Sequence, residues 1–202
     1  MSLNKQCDVL IVGAGPAGIA AAVTAARQGA DTLLVEKSGA PGGTPVTCGH
    51  RYICGLYAQS DECPTETLNP GLTREIVERL GGAPEKMGRV YVHPFQVQDW
   101  INLCLKMIDE ENRLQTIFQA EVIATDITQG RIKTVTLKLP DKKIPITPGA
   151  VVDCSGNGII IKSCNTFEET PPNERQLAGF SIHIGGLVPR NDPGDDLVAV
   201  KV

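Results

Sequence analysis

Apolar residues near the start of the chain form two short runs, separated by a glycine-rich turn and a segment of small residues. The run Asp8–Val12 predicts a buried strand, and Thr32–Val35 predicts a second one. Between them, the alanine-rich segment after Gly18 predicts a helix, which Gly29 ends as a C-terminal cap. This order of strand, helix and strand predicts a parallel pair joined by a right-handed crossover.

The next part of the chain has a long stretch without periodicity, followed by two helical patterns. We interpret residues 38–68 as an irregular functional loop, because they are rich in Gly, Pro, Thr and Cys and follow the first unit directly. A short helix is predicted over 70–80, with Asn69 as its N-cap and Pro70 at its first position. A longer helix is predicted over 95–112, and its apolar face is expected in the core: Val97, Trp100, Ile101, Cys104 and Ile108.

The second half of the chain alternates apolar and polar residues, as strands with one buried face do. Antiparallel hairpins are predicted around a turn at Thr128–Arg131, from the segments Leu114–Phe118, Glu121–Ile127, Ile132–Leu139 and Ile144–Ile146. A continuous apolar run over Gly149–Asp153 then predicts a return to the central parallel sheet. A further short strand is predicted at Val90–His93.

The composition is typical of a soluble globular protein. The 202 residues are 42% hydrophobic and 21% charged, and the formal net charge of -4 provides no basic surface for a nucleic acid. No apolar run reaches the roughly 18 to 20 residues that span a bilayer, so no membrane span is predicted. Residues 1–6 lead directly into the first strand and not into a signal peptide, so we expect a cytoplasmic protein.

The seven cysteines are odd in number and scattered, which favours reduced thiols over a disulfide framework. No Cys-x-x-Cys pair occurs, so no metal site is predicted. Cys48 and Cys54 are separated by five residues, a spacing that does not by itself bring two thiols together. A redox-active pair at these positions is therefore disfavoured.

The turn Gly13-Ala14-Gly15-Pro16-Ala17-Gly18 carries the most specific chemistry in the chain. Its first glycine permits a tight turn, its second lets the backbone approach a pyrophosphate, and its third lets the helix pack closely on the sheet. Amide groups at the helix start bind the pyrophosphate, and Glu36 can accept hydrogen bonds from the adenosine ribose. An acid at this position disfavours NADP but leaves FAD and NAD open.

The spacing of these glycines and of Glu36, followed by Gly42-Gly43-Thr44, resembles the FAD-binding N-terminus of the glutathione-reductase-like flavoprotein superfamily. The phrase Val152-Asp153-Cys154-Ser155-Gly156-Asn157-Gly158 is similar to the Ile-Asp-Ala-Thr-Gly-Asp-Gly form of FAD-dependent oxidoreductases related to fumarate reductase flavoproteins. The resemblance implies an α/β fold: a Rossmann-like FAD/NAD(P)-binding domain with a parallel central sheet, an antiparallel β-meander and the start of a substrate domain. It also implies that FAD is the cofactor.

The resemblance also assigns residues to the cofactor. Lys37 would lie near the adenosine half, Val122 and its strand near the adenine, and Gly43 and Thr44 on the pyrophosphate or flavin side. With the glycine-rich turn and the later Ser-Gly turn, the expected cofactor-binding residues are Gly13, Gly15, Pro16, Ala17, Gly18, Glu36, Lys37, Gly43, Thr44, Val122, Ser155 and Gly156.

The same resemblance implies two domains. Residues 1–165 would form the FAD-binding domain, with helices inserted at 70–112. Residues 166–202 would start an incomplete substrate domain, whose opening strand is Gln176–Gly186. Members of this family are longer, because their chain returns to the FAD domain after the substrate domain, and no such return is found in this sequence.

Three functions remain open at this stage. The first is an FAD-dependent oxidoreductase that transfers a hydride between a small organic substrate and flavin N5. The second is a truncated or non-catalytic dinucleotide-binding module, or a subunit that needs a partner chain to complete the flavin site. An NAD-dependent enzyme is the third. The substrate is not identified, and both a homo-oligomer and a partner subunit are left open.

No catalytic residue is assigned from the sequence. His50, Arg51 and Tyr52 lie in the long loop, where they would exchange protons or bind a carboxylate if the loop lies against the flavin. The simpler interpretation is a solvated loop that happens to carry these side chains. His93 and His183 are interpreted as structural.

Overall fold

A six-stranded sheet is the main element of the structure. The computed structural model describes residues 5–164, together with Pro171 and Glu174. The chain divides into two compact units, Met1–Thr170 and Pro171–Val202. In chain order, the elements of the first unit are β1 (Gln6–Val12), α1 (Pro16–Arg27), β2 (Thr32–Val35), α2 (Thr44–Thr47), β3 (Tyr52–Ile53), α3 (Leu72–Leu80), β4 (Glu85–Met87), β5 (Val90–Pro94), α4 (Val97–Asp109), β6 (Leu114–Ile117), β7 (Glu121–Thr128), β8 (Arg131–Lys138), β9 (Lys143–Asp153) and α5 (Ile159–Ser163).

The large sheet joins a parallel half to an antiparallel half, in the strand order β6-β2-β1-β9-β8-β7. β1 pairs in parallel with β2 and with β9, and β2 pairs in parallel with β6. β8 pairs antiparallel with β7 and with the first residues of β9. A smaller antiparallel sheet has the order β3-β5-β4. The large sheet confirms the predicted α/β fold with a parallel central sheet and an antiparallel meander.

Both faces of the sheet are buried at residues 10–12 of β1 and along β2, which explains why these segments are continuous apolar runs. On one face, Ile11 and Leu34 belong to a core cluster with residues of α1 and α4. On the other face, Leu10 and Leu33 belong to a second cluster with residues of the meander strands. All four side chains are at most 1% exposed. The sheet is therefore a rigid platform for the loops at its ends.

Two strands differ from the sequence prediction. An antiparallel hairpin is predicted at Leu114–Phe118, but β6 pairs in parallel with β2 at the edge of the sheet. A parallel partner needs a crossover connection, and α4 lies directly before β6 in the chain. The predicted segments Ile144–Ile146 and Gly149–Asp153 form one strand, β9, because pairing continues through Pro148 opposite Cys7.

The two longer helices of the middle segment also differ from the prediction at their ends. Asn69 is predicted as the N-cap of α3, whereas the N-cap is Gly71, whose φ of 77° lies in the left-handed region. That angle separates Pro70 from the helix. α4 is shorter than the predicted 95–112, and Trp100 is buried on it as expected. None of the helices in residues 5–164 combines the length and apolar character that a bilayer crossing requires.

Ion pairs join α1 to α3 and to the end of α4. Arg27 Nη1 lies 2.6 Å from Glu75 Oε2, and Arg27 Nε lies 2.7 Å from Glu111 Oε1. The hydrogen bonds that Arg27 donates to Glu75 and then to Glu111 raise the pKa of Arg27. Arg79 continues the network with Glu75 and Glu110 at 2.8 and 2.7 Å. The network holds α3 and α4 beside the helix that follows the glycine-rich turn.

The predicted strand Gln176–Gly186 and His183 lie outside the described residues, as does nearly all of the segment 166–202.

Candidate cofactor-binding site

The first and third glycines of the turn between β1 and α1 are required by the protein itself. Gly13 has a φ of 99°, and a Cβ there would lie 2.5 Å from the carbonyl oxygen of Cys154. A Cβ on Gly18 would overlap the carbonyl oxygen of Gly13. These glycines let β1, α1 and the end of β9 meet closely, as the sequence predicts.

The second glycine, Gly15, is not required by any protein contact. It is the N-cap of α1 with an unstrained φ of -72°, and the nearest atom to an added Cβ would be Gly43 Cα at 3.7 Å. The first turn of α1 carries no capping side-chain hydrogen bond and no acidic residue, and Pro16 lies at its start. An open backbone at the positive end of a 12-residue helix is the arrangement that receives an anionic group.

Glu36 follows β2 and is 8% exposed. Its Oε2 accepts a hydrogen bond from the Ala14 amide at 2.7 Å, and its Oε1 accepts one from the Ser38 amide at 2.7 Å. A carboxylate has about four acceptor positions, so these two bonds orient the group and leave about two positions for a ligand. A ribose diol, which offers two hydroxyl donors, fits that remaining capacity.

A cleft lies at the carboxyl ends of β1 and β2, between them and the start of β7. Five of the expected cofactor-binding residues line it: Gly13, Glu36, Lys37, Val122 and Ser155. Val12, Val35, Ala120, Glu121, Asn157 and Ile159 line it as well. Apolar side chains therefore form part of the wall, as a planar base requires, and polar groups lie beside them. A cleft outside the carboxyl ends of parallel strands is where open α/β sheets bind ligands.

Five lining residues were missed by the sequence analysis: Val12, Val35, Ala120, Asn157 and Ile159. Glu121 belongs to the strand that was expected near the adenine. Ala120 precedes β7, and its amide donates to the Glu36 carbonyl oxygen at 2.9 Å. Nothing in the local sequence announces this bond, because the partners are far apart in the chain. Asn157 and Ile159 follow the Ser-Gly turn. The segment Val152–Gly158, which resembles the FAD-dependent oxidoreductases, was the sequence signal that could have identified them.

A second glycine loop lies against the first. The Gly42 amide donates to the Ala14 carbonyl oxygen at 2.8 Å. Gly43 has a φ of 59°, and a Cβ there would lie 2.6 Å from Gly15 Cα. Thr44 begins α2 immediately after Gly43. The structure thus brings Gly43 beside Gly15 and Pro16, and Thr44 follows Gly43 in the chain.

Asp153, at the end of β9, organises the turn that contains Ser155 and Gly156. Its Oδ1 accepts from the amide and the hydroxyl of Ser155, and its Oδ2 accepts from the amides of Ile160 and Ile161 at 2.9 and 3.1 Å. Partial burial opposes ionisation, but these hydrogen bonds together hold the pKa of Asp153 below its usual range. Gly156 adopts a φ of 77° in this turn and is not among the residues that line the cleft.

The remaining candidate side chains are outside this cleft. His50 and Arg51 are exposed, and Tyr52 is 38% exposed. Cys48 and Cys54 are exposed free thiols. Within residues 5–164, no group of three or more His, Cys, Asp or Glu residues could hold a metal ion.

His93 has the structural environment that the sequence analysis expects. It is 1% exposed, its Nδ1 lies 2.9 Å from the Tyr57 hydroxyl, and its Nε2 lies 2.9 Å from the Gly81 carbonyl oxygen. A carbonyl can only accept, so Nε2 carries a proton. His93 therefore joins the long loop to the end of α3.

Comparison with known proteins identifies relatives of this chain. A family model described as FAD dependent oxidoreductase matches residues 8–176. Digeranylgeranylglycerophospholipid reductase 3 of Methanosphaera stadtmanae is 38% identical over 79 residues, which cover 39% of this chain and 18% of that protein. Sarcosine oxidase subunit alpha of Rhizobium meliloti is 55% identical over 39 residues, which cover 19% of this chain and 4% of that protein.

A solved structure shows the same fold. 3-Ketosteroid-delta4-(5alpha)-dehydrogenase from Rhodococcus jostii RHA1 superposes with a TM-score of 0.55 at 16% identity, over 76% of this chain and 46% of that chain. The match spans less than half the length of each of these three proteins.

Proposed function

Because the chain belongs to the FAD-dependent oxidoreductase family, whose cofactor is FAD, we propose that it catalyses hydride transfer between a small organic substrate and the flavin. The bound flavin supplies the hydride acceptor at N5, and the protein supplies binding, orientation and electrostatics. The family match over residues 8–176 favours this activity over a non-catalytic dinucleotide-binding module.

One observation supports the proposed binding mode most directly: the backbone at Gly15 is accessible, and the nearby Glu36 carboxylate is already oriented by two hydrogen bonds. Gly15 leaves backbone space that no protein atom needs, at the start of α1. Glu36 lies in the adjoining cleft with about half of its acceptor capacity free. We assign the pyrophosphate to the first position and the adenosine ribose to the second. The distribution of charge fits: the helix end attracts an anion, while Glu36 repels a 2'-phosphate.

The other expected residues extend this assignment. Lys37, Ala120 and Val122 would contact the adenosine half, because they line the cleft around Glu36. Gly43 and Thr44 would contact the pyrophosphate or the flavin side, because Gly43 lies against Gly15 and Thr44 follows it at the start of α2. The assigned cofactor-binding set is Gly13, Gly15, Pro16, Ala17, Gly18, Glu36, Lys37, Gly43, Thr44, Val122, Ser155 and Gly156.

Purification tests the proposed function directly. The absorbance spectrum of the fresh protein is expected to show flavin bands, and mass spectrometry of the released ligand is expected to identify FAD. Protein stripped of ligand should bind added FAD in preference to NAD and NADP in a competition titration. A colourless preparation that binds no added FAD would refute the proposal.

Three finer assignments are also proposals. The phrase Val152–Gly158 supports membership of the branch related to fumarate reductase flavoproteins. The resemblance to this family also supports a domain boundary near residue 165, with residues 166–202 forming the start of a substrate domain. Limited proteolysis that yields a stable fragment ending near residue 165 would support this boundary. A cytoplasmic location is proposed from the composition, and fractionation of cells that express the chain tests it.

A further inference from the structure

Trp100 is the only tryptophan of the chain and contacts the second glycine loop from a distant helix. It lies in α4, is 4% exposed, and is 58 positions from Gly42. Its indole Nε1–H donates a hydrogen bond to the Gly42 carbonyl oxygen at 3.1 Å, and the bond is buried. The side chain therefore does more than fill the core.

Gly42 is held on two sides. Its carbonyl oxygen accepts from Trp100, and its amide donates to the Ala14 carbonyl oxygen at 2.8 Å. Its φ is 119°, and a Cβ there would overlap Val46 Cγ2 and would lie 3.0 Å from Trp100 Cδ1 and 3.1 Å from Trp100 Nε1. The indole can approach the Gly42 backbone so closely only because residue 42 has no side chain.

The next residue, Gly43, touches the edge of the candidate site, where its backbone lies against Gly15. The chain of contacts from Trp100 through Gly42 to Ala14 thus fixes the distance between the two glycine loops. We propose that Trp100 is a positioning residue for the cofactor: its indole N–H holds the Gly42 carbonyl and sets the place of Gly43 beside the pyrophosphate or flavin side. This role in FAD binding rests on the proposed function, whereas the effect on the loop does not.

Replacing the indole N–H of Trp100 tests its role in positioning the loop. Incorporation of 3-benzothienylalanine in place of tryptophan puts sulfur where the indole N–H was, and it changes position 100 alone because the chain has one tryptophan. In the protein without cofactor, amide hydrogen exchange in the peptide covering 40–47 should become faster by roughly two- to tenfold, as expected for the loss of one buried hydrogen bond. The dissociation constant for FAD should rise by a similar factor, and the visible circular dichroism of bound flavin should change.

Phe95→Leu is the matched control. Phe95 packs on Trp100, with ring centroids 6.1 Å apart, and is 7% exposed in the same core cluster. Its substitution should lower the Tm, because it removes aromatic packing, while the indole bond to Gly42 remains. Exchange in 40–47 and the FAD dissociation constant should then stay close to those of the native protein. Trp100→Phe provides a second variant, which lacks the N–H and should reproduce the effects of the analogue.

The outcomes separate the two proposals. Unchanged exchange in 40–47 and unchanged FAD affinity in the analogue would overturn the positioning role, with the proposed function intact. Equal effects in the analogue and in Phe95→Leu would also overturn it, because they would reflect packing alone. If the native protein binds no FAD, but amide exchange in 40–47 is still faster in the protein with the analogue, the proposed function is wrong. In that case only the conclusion that Trp100 holds the loop remains.

Discussion

At the scale of single residues, Glu36 shows how a binding group is prepared by the backbone. Two amides, those of Ala14 and Ser38, fix the carboxylate before any ligand arrives. A group that is already oriented loses little conformational entropy on binding, so more of its hydrogen-bond energy contributes to affinity. The sequence predicts the acid at this position, but only the structure shows that its orientation depends on Ala14 and Ser38.

Glu36→Gln should weaken FAD binding by about ten- to hundredfold, because hydrogen bonds to a charged acceptor contribute roughly 1.5–3 kcal/mol and the amide group cannot replace both oxygens. The measurement is a flavin fluorescence titration of protein stripped of ligand. Asp126→Asn is the matched control: Asp126 is an exposed carboxylate on β7 that does not line the cleft, and its variant should bind FAD within about threefold of the native protein. Equal losses in the two variants would show that Glu36 acts only through general charge.

Gly15 and Gly18 give opposite predictions for the same substitution. Gly18→Ala places a Cβ on the Gly13 carbonyl oxygen, so the free energy of unfolding should fall by about 3 kcal/mol. The gain of about 1 kcal/mol in helix propensity is too small to compensate. Gly15→Ala has its nearest protein atom at 3.7 Å, so it should cost no more than the roughly 1 kcal/mol expected for alanine at an N-cap, yet it should weaken FAD binding about tenfold or more. Thermal unfolding and FAD titration of both variants measure the contrast. A Gly15→Ala protein that binds FAD normally would mean that the ligand does not approach this backbone.

At the scale of elements, the start of α5 is held by two side chains from the end of β9 and the turn after it. Asp153 accepts the amides of Ile160 and Ile161, and the Ser155 hydroxyl oxygen accepts the amide of Ile159 at 3.2 Å. Asp153→Asn should lower the free energy of unfolding at pH 7 by about 1 kcal/mol, because the group is partly exposed and the new amide cannot accept at both positions. Chemical denaturation measures the difference, and Asp126→Asn, on the exposed side of β7, controls for the change in net charge.

The same carboxylate gives a pH dependence with a definite sign. The pKa of Asp153 in the folded protein is lowered, so its contribution to stability is present above the unfolded value of about 3.9 and is lost as the pH falls through the folded value. The stability difference between the native protein and Asp153→Asn should therefore shrink below about pH 4. A difference that stays constant from pH 7 to pH 3 would exclude the ionised carboxylate as its cause.

Elements whose signals are local were predictable from the sequence, and elements defined by distant partners were not. β1, α1 and β2 follow from an apolar run, a glycine turn and a second apolar run, and residues 10–12 of β1 and all of β2 are buried as expected. The pairing of β6 with β2 is different, because alternation along Leu114–Phe118 identifies a strand but not its neighbour. The predicted start of α3 was wrong. Asn69 and Pro70 are residue types that often begin a helix, and the sequence does not show that Gly71 adopts a left-handed φ.

At the scale of the whole molecule, the candidate site is assembled from segments that are far apart in the chain. The glycine-rich turn and Glu36 were predictable, because a single strand-helix-strand unit contains them. Ala120, Asn157 and Ile159 come from the meander and the last turn, and the hydrogen bond of Trp100 to Gly42 joins a helix to a loop 58 positions away. Such contacts are decided by how the elements pack and not by the spacing of residues along one of them.

β9 belongs to both halves of the large sheet, and this affects how the protein unfolds. Its first residues, 143–146, are paired with β8, and its later residues, 147–153, are paired with β1. The meander and the parallel half therefore share one continuous strand, and that strand ends at Asp153, which anchors the last turn. The meander and the parallel half should therefore unfold as one cooperative unit, so that a substitution that destabilises the far edge of the sheet also destabilises the candidate cleft.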